Sequence, residues 1–274
     1  MKTVGRFRYL EALPRNVLPS GGPRGARPKG TLVLIHGFPL GASMWEPQLE
    51  LAEQGWRVIA PELRGFEGPM ADTVATSMDD YAADVIDLLD ALHVEDAVIG
   101  GLSMGGYVTF AIFRHAPRYF RGMVLADTRA QADSPEGVEN RKRMLALLKE
   151  KGPPVVAADL LPKLVCDSTR AKRPEVVATI RNLILSNSSE TIGGAITALM
   201  TRPDSTPLLS AIHCPTLIVV GDQDALTPPA LSQDIQRGVA GAELAVVPDA
   251  GHMSNMEQPA AFNDALGRFL DRRV

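Results

Sequence analysis

The chain has 274 residues, about the upper size of one hydrophobic core, so its length predicts a single domain with room for an insertion and not two full domains. Hydrophobic residues make up 45% and charged residues 22%, and the 24 Gly and 21 Pro are spread without repeat, which excludes disorder, collagen and coiled coil. Lys and Arg number 28 against 32 Asp and Glu; a net charge of −4 gives no long-range pull toward phosphate backbones or anionic lipid, so neither nucleic acid nor a membrane is an expected partner.

The N-terminus carries Lys2, Arg6 and Arg8, but Glu11 and Pro14 interrupt the place where a signal peptide would hold its apolar run. A cytoplasmic protein is therefore expected. A first strand is predicted over about Phe7 to Leu13, followed by a Pro-, Gly- and Arg-rich surface loop over residues 14–30. Short aliphatic runs then recur at Thr31 to His36, Val58 to Pro61, Ala97 to Gly100, Met123 to Ala126, Leu217 to Val220 and Leu244 to Val247. Each is too short to span a membrane and too uniformly apolar for a half-exposed strand, which suits a parallel sheet buried on both faces.

Helical patterns alternate with these runs. Ser77 can cap a helix from Met78 to Leu92, with Asp80 as its capping-box partner and Tyr81, Val85, Leu88, Leu89 and Leu92 on its apolar face. Others begin near Met104 and stop before Pro117, follow Pro228, and run from about Pro259 to Leu270. The fold class this predicts is α/β, a doubly wound and mostly parallel sheet, with ligands at the carboxyl ends of its strands.

Between Asp127 and Thr216 no convincing strand occurs. Four helices are predicted there: from Ser134 and Pro135 to Gly152, from Pro153 to Leu161 with Pro162 as its stop, from Pro174 through Val176, Ile180 and Leu183, and a fourth capped by Ser189. The expected division is a core of residues 1–127 and 211–274 with an inserted helical cap, or lid, over 128–210. Cys166 and Cys214 have no C-x-x-C spacing, which agrees with a reducing compartment and gives neither of them a catalytic role.

The chemistry concentrates in three loops. Gly101-Leu102-Ser103-Met104-Gly105 fits G-x-S-x-G between a strand and a helix, where a sharp turn exposes the serine hydroxyl beside a helix N-terminus. A serine needs a base, and the base needs an orienting acid. Asp224 lies just beyond one late strand and His252 in the loop after the next; the remaining histidines stand at helix ends (His93, His115), before a strand (His213) or in a loop-bracing position (His36). Asp222 and Asp127 compete with Asp224 for the acid's role. Acyl transfer also needs two N–H donors for the developing oxyanion, and Phe38 in His36-Gly37-Phe38-Pro39 and Met104 can offer backbone amides, whereas Pro39 cannot.

Taken in order, His36-Gly37-Phe38-Pro39, Arg64-Gly65-Phe66, Gly101 to Gly106, Gly221-Asp222-Gln223-Asp224 and Gly251-His252 resemble the α/β-hydrolase superfamily in its capped serine-esterase and lactonase-like form. The resemblance covers about Thr31 to Leu270 and implies a catalytic triad of Ser103, His252 and Asp224, an oxyanion hole from Phe38 and Met104, and neither cofactor nor metal. Two departures stand out. Glu67 replaces a glycine after Arg64-Gly65-Phe66, and the stretch before Thr31 is short for the usual opening strands, which predicts a sheet reduced at that edge.

The function expected is a cofactor-independent carboxylesterase working through an acyl-enzyme on a small-molecule ester. A lactonase on the same triad, for example one opening acyl-homoserine lactones, is the nearest alternative, and a ligand receptor with slow turnover is the alternative from another class. Phe38, Met104 and Met253 are the candidate pocket residues, and a monomer or small homo-oligomer is expected.

Overall fold

The computed structural model describes residues 1–15, 27–67 and 73–274. The aliphatic runs form the middle of one sheet. Strands β3 (Thr31–Ile35), β4 (Arg57–Glu62), β5 (Ala97–Leu102), β6 (Phe120–Ala126), β7 (Thr216–Gly221) and β8 (Glu243–Val247) are all parallel to their neighbours. The opening edge is not reduced. A short strand β1 (Lys2–Val4) turns at Gly5 into β2 (Phe7–Ala12), which pairs antiparallel with β4 from Arg8 opposite Glu62 to Ala12 opposite Val58, so the sheet has eight strands in the order β1-β2-β4-β3-β5-β6-β7-β8. The half-exposed sequence of β2 pairs through its backbone, which leaves a weak hydrophobic signal. Most of the loop read over residues 14–30 lies outside the described residues.

Both faces of the sheet are covered, as uniformly apolar strands require. On one face Leu32, Leu34 and Val58 meet Trp45 and Leu51, from a 3-10 helix over Ala42–Gln54, together with Phe262 and Phe269 from the C-terminal helix over Pro259–Arg273. On the other, Val33, Ile35 and Ile99 meet Tyr81, Val85 and Leu89 of α1 (Met78–Ala91) and Val108 of α2 (Met104–His115). Ser77 caps α1 through a full capping box with Asp80, as its sequence predicts. The 3-10 helix has no counterpart in the sequence reading because Pro47 interrupts it and its period of three gives no amphipathic α-helical stripe.

Between β6 and β7 the chain forms five helices, where the sequence predicts four: α3 (Pro135–Lys151), α4 (Pro153–Leu164), α5 (Asp167–Lys172), α6 (Pro174–Leu185) and α7 (Ser189–Thr201). Pro162 does not stop α4; it sits in the last turn, where losing one backbone donor is tolerable. The short α5 is missed because its cap is Cys166, whose sulfur accepts the Thr169 amide at 3.4 Å. Ser188, not Ser189, caps α7, accepting the Thr191 amide at 3.1 Å. Leu148, Val156, Ile192 and Ile196 make the insertion's own small core, and Phe38 packs against it from the loop after β3. Among the described residues, no helix is long and apolar enough to cross a membrane.

Asn187, just before α7, fastens the inserted helices to that loop. Its amide nitrogen donates to Pro39 O at 2.9 Å and Leu183 O at 2.8 Å, and its carbonyl accepts the Glu67 amide at 2.9 Å. The side chain is buried. Removing it leaves the Pro39 carbonyl and the Glu67 amide without these partners, while Leu183 O keeps the Ser186 hydroxyl at 2.8 Å; an unpaired buried group costs about 1–3 kcal/mol, although relaxation and entering water recover part of this. Asn187→Ala is therefore expected to lower the thermal midpoint by about 3–8 °C, read by calorimetry or circular dichroism. A midpoint within a degree of wild type would show that this tie does not hold the insertion.

Candidate active site

The turn between β5 and α2 is set by close backbone contacts. A Cβ on Gly105 would lie 2.1 Å from Ile35 O, and one on Gly101 would lie 2.4 Å from the carbonyl carbon of Gly105, so only glycine lets the first turn of α2 settle on β3 and β5. Ser103 between them adopts φ 54° and ψ −112°, a left-handed φ that costs a non-glycine residue about 1–3 kcal/mol. The surroundings hold it there. Its amide donates to Ala126 O at 2.9 Å, and its carbonyl accepts the Gly106 amide and the Thr128 hydroxyl, each at 2.9 Å.

The loops after β7 and β8 meet because the Gln223 amide donates to Ala250 O at 2.9 Å, the Asp222 amide to Val247 O at 3.0 Å, and the Ala250 amide to the Asp222 carboxylate at 3.3 Å. Asp222 is thus a bracket between loops. This brings Asp224 Oδ2 to 2.8 Å from His252 Nδ1, with both residues nearly fully buried. The Leu226 and Thr227 amides donate to Asp224 Oδ1 at 2.8 and 2.9 Å, and the Thr227 hydroxyl donates to Oδ2 at 2.6 Å. Burial pushes the Asp224 carboxyl up, but the His252 charge and these hydrogen bonds outweigh it and hold the group below its ordinary range. An ionised acceptor fixes the proton on Nδ1 and leaves Nε2 free. Burial pushes the imidazole down, yet Asp224, as neighbouring charge and acceptor, raises it above its ordinary value.

Asp127 ends up differently. It is completely buried, with a φ of 44°, accepts the Gly221 amide at 2.8 Å and is hydrogen-bonded to Ser254. Burial, reinforced by the Asp224 carboxylate, raises its carboxyl well above the ordinary range. It makes no contact with the imidazole nitrogens, whose carboxylate partner is Asp224.

Ser103 and His252 open on one cavity of about 160 Å³, lined also by Phe38, Tyr107, Leu160 and Leu199. Among the site's hydrogen bonds none joins Ser103 Oγ to His252; the two share the cavity without that contact. The Phe38 and Met104 amides have no protein acceptor among the described residues, which leaves both donors available beside the serine. The side chains of Met104 and Met253 do not line the cavity: Met104 packs in the core under α1 and α2, and Met253 in the opposite core beside Leu164 and Met256, with its amide donating to Leu164 O at 3.0 Å. Adjacency in sequence to Ser103 and His252 points to them, but both side chains are buried in the cores. His36 is a brace. It accepts the Leu63 amide on Nε2 at 3.2 Å, which leaves Nδ1 to donate to Gly37 O at 3.1 Å.

Two residues of the site have no signal in the sequence. Thr227 is one; Glu257 is the other, its buried carboxylate accepting the Gly251 amide and the Cys166 amide, each at 2.8 Å. Glu67, which the sequence marks only as a departure from the family pattern, lies over Gly41 with its carboxylate hydrogen-bonded to Ser43 at 2.8 Å; burial, with Glu62 alongside, pushes it up to about 7.

The sequence model of the alpha/beta hydrolase family matches residues 32–265. The chain belongs to that family. It is 27% identical to 3-oxoadipate enol-lactonase 2 of Acinetobacter baylyi over 90% of this chain and 91% of that protein. Among solved structures it is similar to a thermophilic esterase from Thermogutta terrifontis with malate bound (38% identity, 97% of this chain and 93% of that one, TM-score 0.88) and to the enol-lactonase from Burkholderia xenovorans (26%, 97% and 96%, TM-score 0.85). Its activity class is that of a hydrolase.

The two acids predict different mutants. Asp224→Asn would present an amide to Nδ1 and mis-set the tautomer, with an expected loss of about ten-thousand-fold in kcat. Asp127→Asn keeps the acceptor for the Gly221 amide and changes only the group that faces the Ser254 hydroxyl, which can turn to accept from the new amide, so a loss within about ten-fold is expected. The reverse ranking in steady-state assays would move the acid to β6. The base must be neutral to take a proton, so kcat/KM should rise with pH, and because the imidazole is raised, the midpoint of that limb should lie above 6.5. A profile flat between pH 5 and 8 would exclude a histidine base.

Proposed function

We propose that the chain is a serine carboxylic-ester hydrolase that works through an acyl-enzyme. The observation that carries this reading is the positive-φ Ser103 at the β5–α2 turn, opening on the same cavity as an imidazole whose far nitrogen is bonded to Asp224. Ser103 Oγ attacks the ester carbonyl carbon while its proton passes to His252 Nε2. The carbonyl oxygen becomes an oxyanion held by the Phe38 and Met104 amides. When the tetrahedral adduct collapses, the C–O bond to the alcohol breaks and the leaving oxygen takes the proton from His252. Water then attacks the acyl-enzyme, gives its proton to the same nitrogen, and the acid leaves as Ser103 is reprotonated.

A lactone contains the same bond with alcohol and acid tethered, so the steps hold unchanged and the product is one hydroxy acid. The enol-lactonase relatives support this second reading, and the esterase at 38% identity supports the first. With an activated serine and no group for hydride or electron transfer in the mechanism, the reaction needs only substrate and water. A cytoplasmic setting accords with this reading and with Cys166 and Cys214 being unpaired.

Ser103→Ala should abolish turnover of p-nitrophenyl acetate and butyrate, on the order of a million-fold in kcat, without changing the circular dichroism spectrum. A fluorophosphonate should label wild type on Ser103 alone, as read by peptide mass spectrometry. Ser43, bonded to Glu67, and Ser254, bonded to Asp127, are two other serine hydroxyls next to carboxyl groups, and a label on either would refute the assignment.

A further inference from the structure

The cavity at Ser103 has a charged wall that the ester chemistry does not use. Arg129, two residues beyond Asp127, and Arg141, on α3, both line it, and both also line the adjoining cavity of about 220 Å³ under α3 and α4. No acidic residue lines the cavity at Ser103 among the described residues. The nearest carboxylate is Asp133, and three arginines share it: Arg129 through Nη2, Arg141 Nε at 2.6 Å and Arg202 Nη2 at 2.8 Å. Burial pushes Asp133 up, but Arg202 and Arg141 outweigh it and bring it down to about 2, so it is one full negative charge.

The three cations are not equivalent. Arg202 and Asp133 are each only 2% exposed in their side chains, and Arg202 also donates to Leu199 O at 2.7 Å and Gln131 O at 3.1 Å while its guanidinium lies 4.2 Å from the centroid of the Tyr107 ring. Arg202 Nε also lacks a partner, but Arg202 lines neither cavity. Arg129 and Arg141 remain as two positive charges with no second carboxylate. Arg129 Nε is buried without any partner, and Arg141 spends only Nε on Asp133, which leaves its two terminal nitrogens free. The other acid in the adjoining cavity, Asp159, is engaged by Lys163 at 2.9 Å. Partly desolvated guanidinium groups that share one counter-ion among three are under-compensated, and a planar carboxylate is the acceptor their forked donors fit.

We propose that the substrate of this site carries a free carboxylate, bound by Arg129 and Arg141, at the far end of a short apolar chain from the ester or lactone bond. This rests on the ester-hydrolase reading of Ser103. Leu160, Leu199 and Phe38 line the wall between the arginines and the serine and suit methylenes, so the substrate class is a half-ester of a dicarboxylic acid or a lactone bearing a carboxylate. Arg129 and Arg141 are binding residues that select the anion; they take no part in bond making.

The test compares p-nitrophenyl hydrogen glutarate with the chain-matched neutral p-nitrophenyl hexanoate on the full chain. Wild type should favour the anionic ester in kcat/KM, mainly through KM. That preference should fall at least about ten-fold in Arg141→Gln and in Arg129→Gln, and less in Arg141→Lys, which keeps the charge without the fork. Circular dichroism identifies variants that fail to fold, and a second readout needs no variant: glutarate should slow fluorophosphonate labelling of wild-type Ser103 competitively, whereas pentanol should not. Hydrolysis of the neutral ester with no preference for the anion and no protection by glutarate would overturn the carboxylate proposal alone. An unchanged preference in folded Arg129→Gln and Arg141→Gln would overturn the assignment to these arginines. If neither ester turns over and Ser103 is not labelled, the ester-hydrolase reading falls and the proposal falls with it.

Discussion

The constraint on which the site depends is the distance at which α2 is pressed onto the sheet. With Ile35 O where a Cβ of residue 105 would be, the first turn of α2 sits directly over the ends of β3 and β5. That contact has three consequences. It forces the residue between strand and helix into a left-handed φ, it aims the free N–H groups of the helix start toward the strand ends, and it brings the loop after β3 beside them. The proposed nucleophile and both proposed oxyanion donors therefore come from one packing decision, made by glycines that have no chemistry of their own. Strain at Ser103 is sustained because its backbone partners come from β6 and α2, elements buried on both sides.

Two buried aspartates a strand apart show how environment divides one residue type into two roles. Asp224 receives two amides, a hydroxyl and an imidazole, enough to stabilise a charge that burial penalises. Asp127 receives one amide and the Ser254 hydroxyl and faces the Asp224 charge besides, so burial prevails and its carboxyl is raised well above the ordinary range. The two carboxyls are thus pushed in opposite directions, Asp224 down by its donors and by His252 and Asp127 up by burial and by Asp224. The acid that aligns the base is thus selected by hydrogen-bond donors at the β7 loop and not by distance along the chain.

The parts legible in the sequence are those whose chemistry is local. Buried parallel strands read as aliphatic runs, Ser77 and Asp80 read as a capping box, and Gly101 to Gly105 read as a turn because steric need restricts the residue type. What was not legible depends on partners distant in the chain. β2 reads as a strand, but β1 is three residues defined only by pairing with β2 and carries no hydrophobic pattern of its own; α5 starts on a cysteine, a residue no capping rule favours. Met104 and Met253 flank the chemistry in sequence yet turn into two different cores, a choice made by helix rotation and not by neighbourhood. The arginine cluster was invisible for the same reason: Arg129, Arg141 and Arg202 come from three places and converge only on Asp133.

The inserted helices are clamped at the two loops that carry the chemistry. Asn187 ties the start of α7 to Pro39 O, next to the Phe38 donor, and Glu257 ties the α4–α5 junction at Cys166 to Gly251, next to His252. Glu257 lies on the four-residue helix that follows the His252 loop, so one carboxylate spans the insertion and the sheet. Residue 194 of α7 would place a Cβ 2.6 Å from Ala75 O, so that helix is also in backbone contact with the segment before α1. A helical layer held at three such points is a fixed wall, and its glycine at 194 is explained by close packing without any hinge. Selection by a fixed wall acts through the shape and charge already present in it, so the residues that line the cavity, more than motion of the layer above it, decide which substrates reach Ser103.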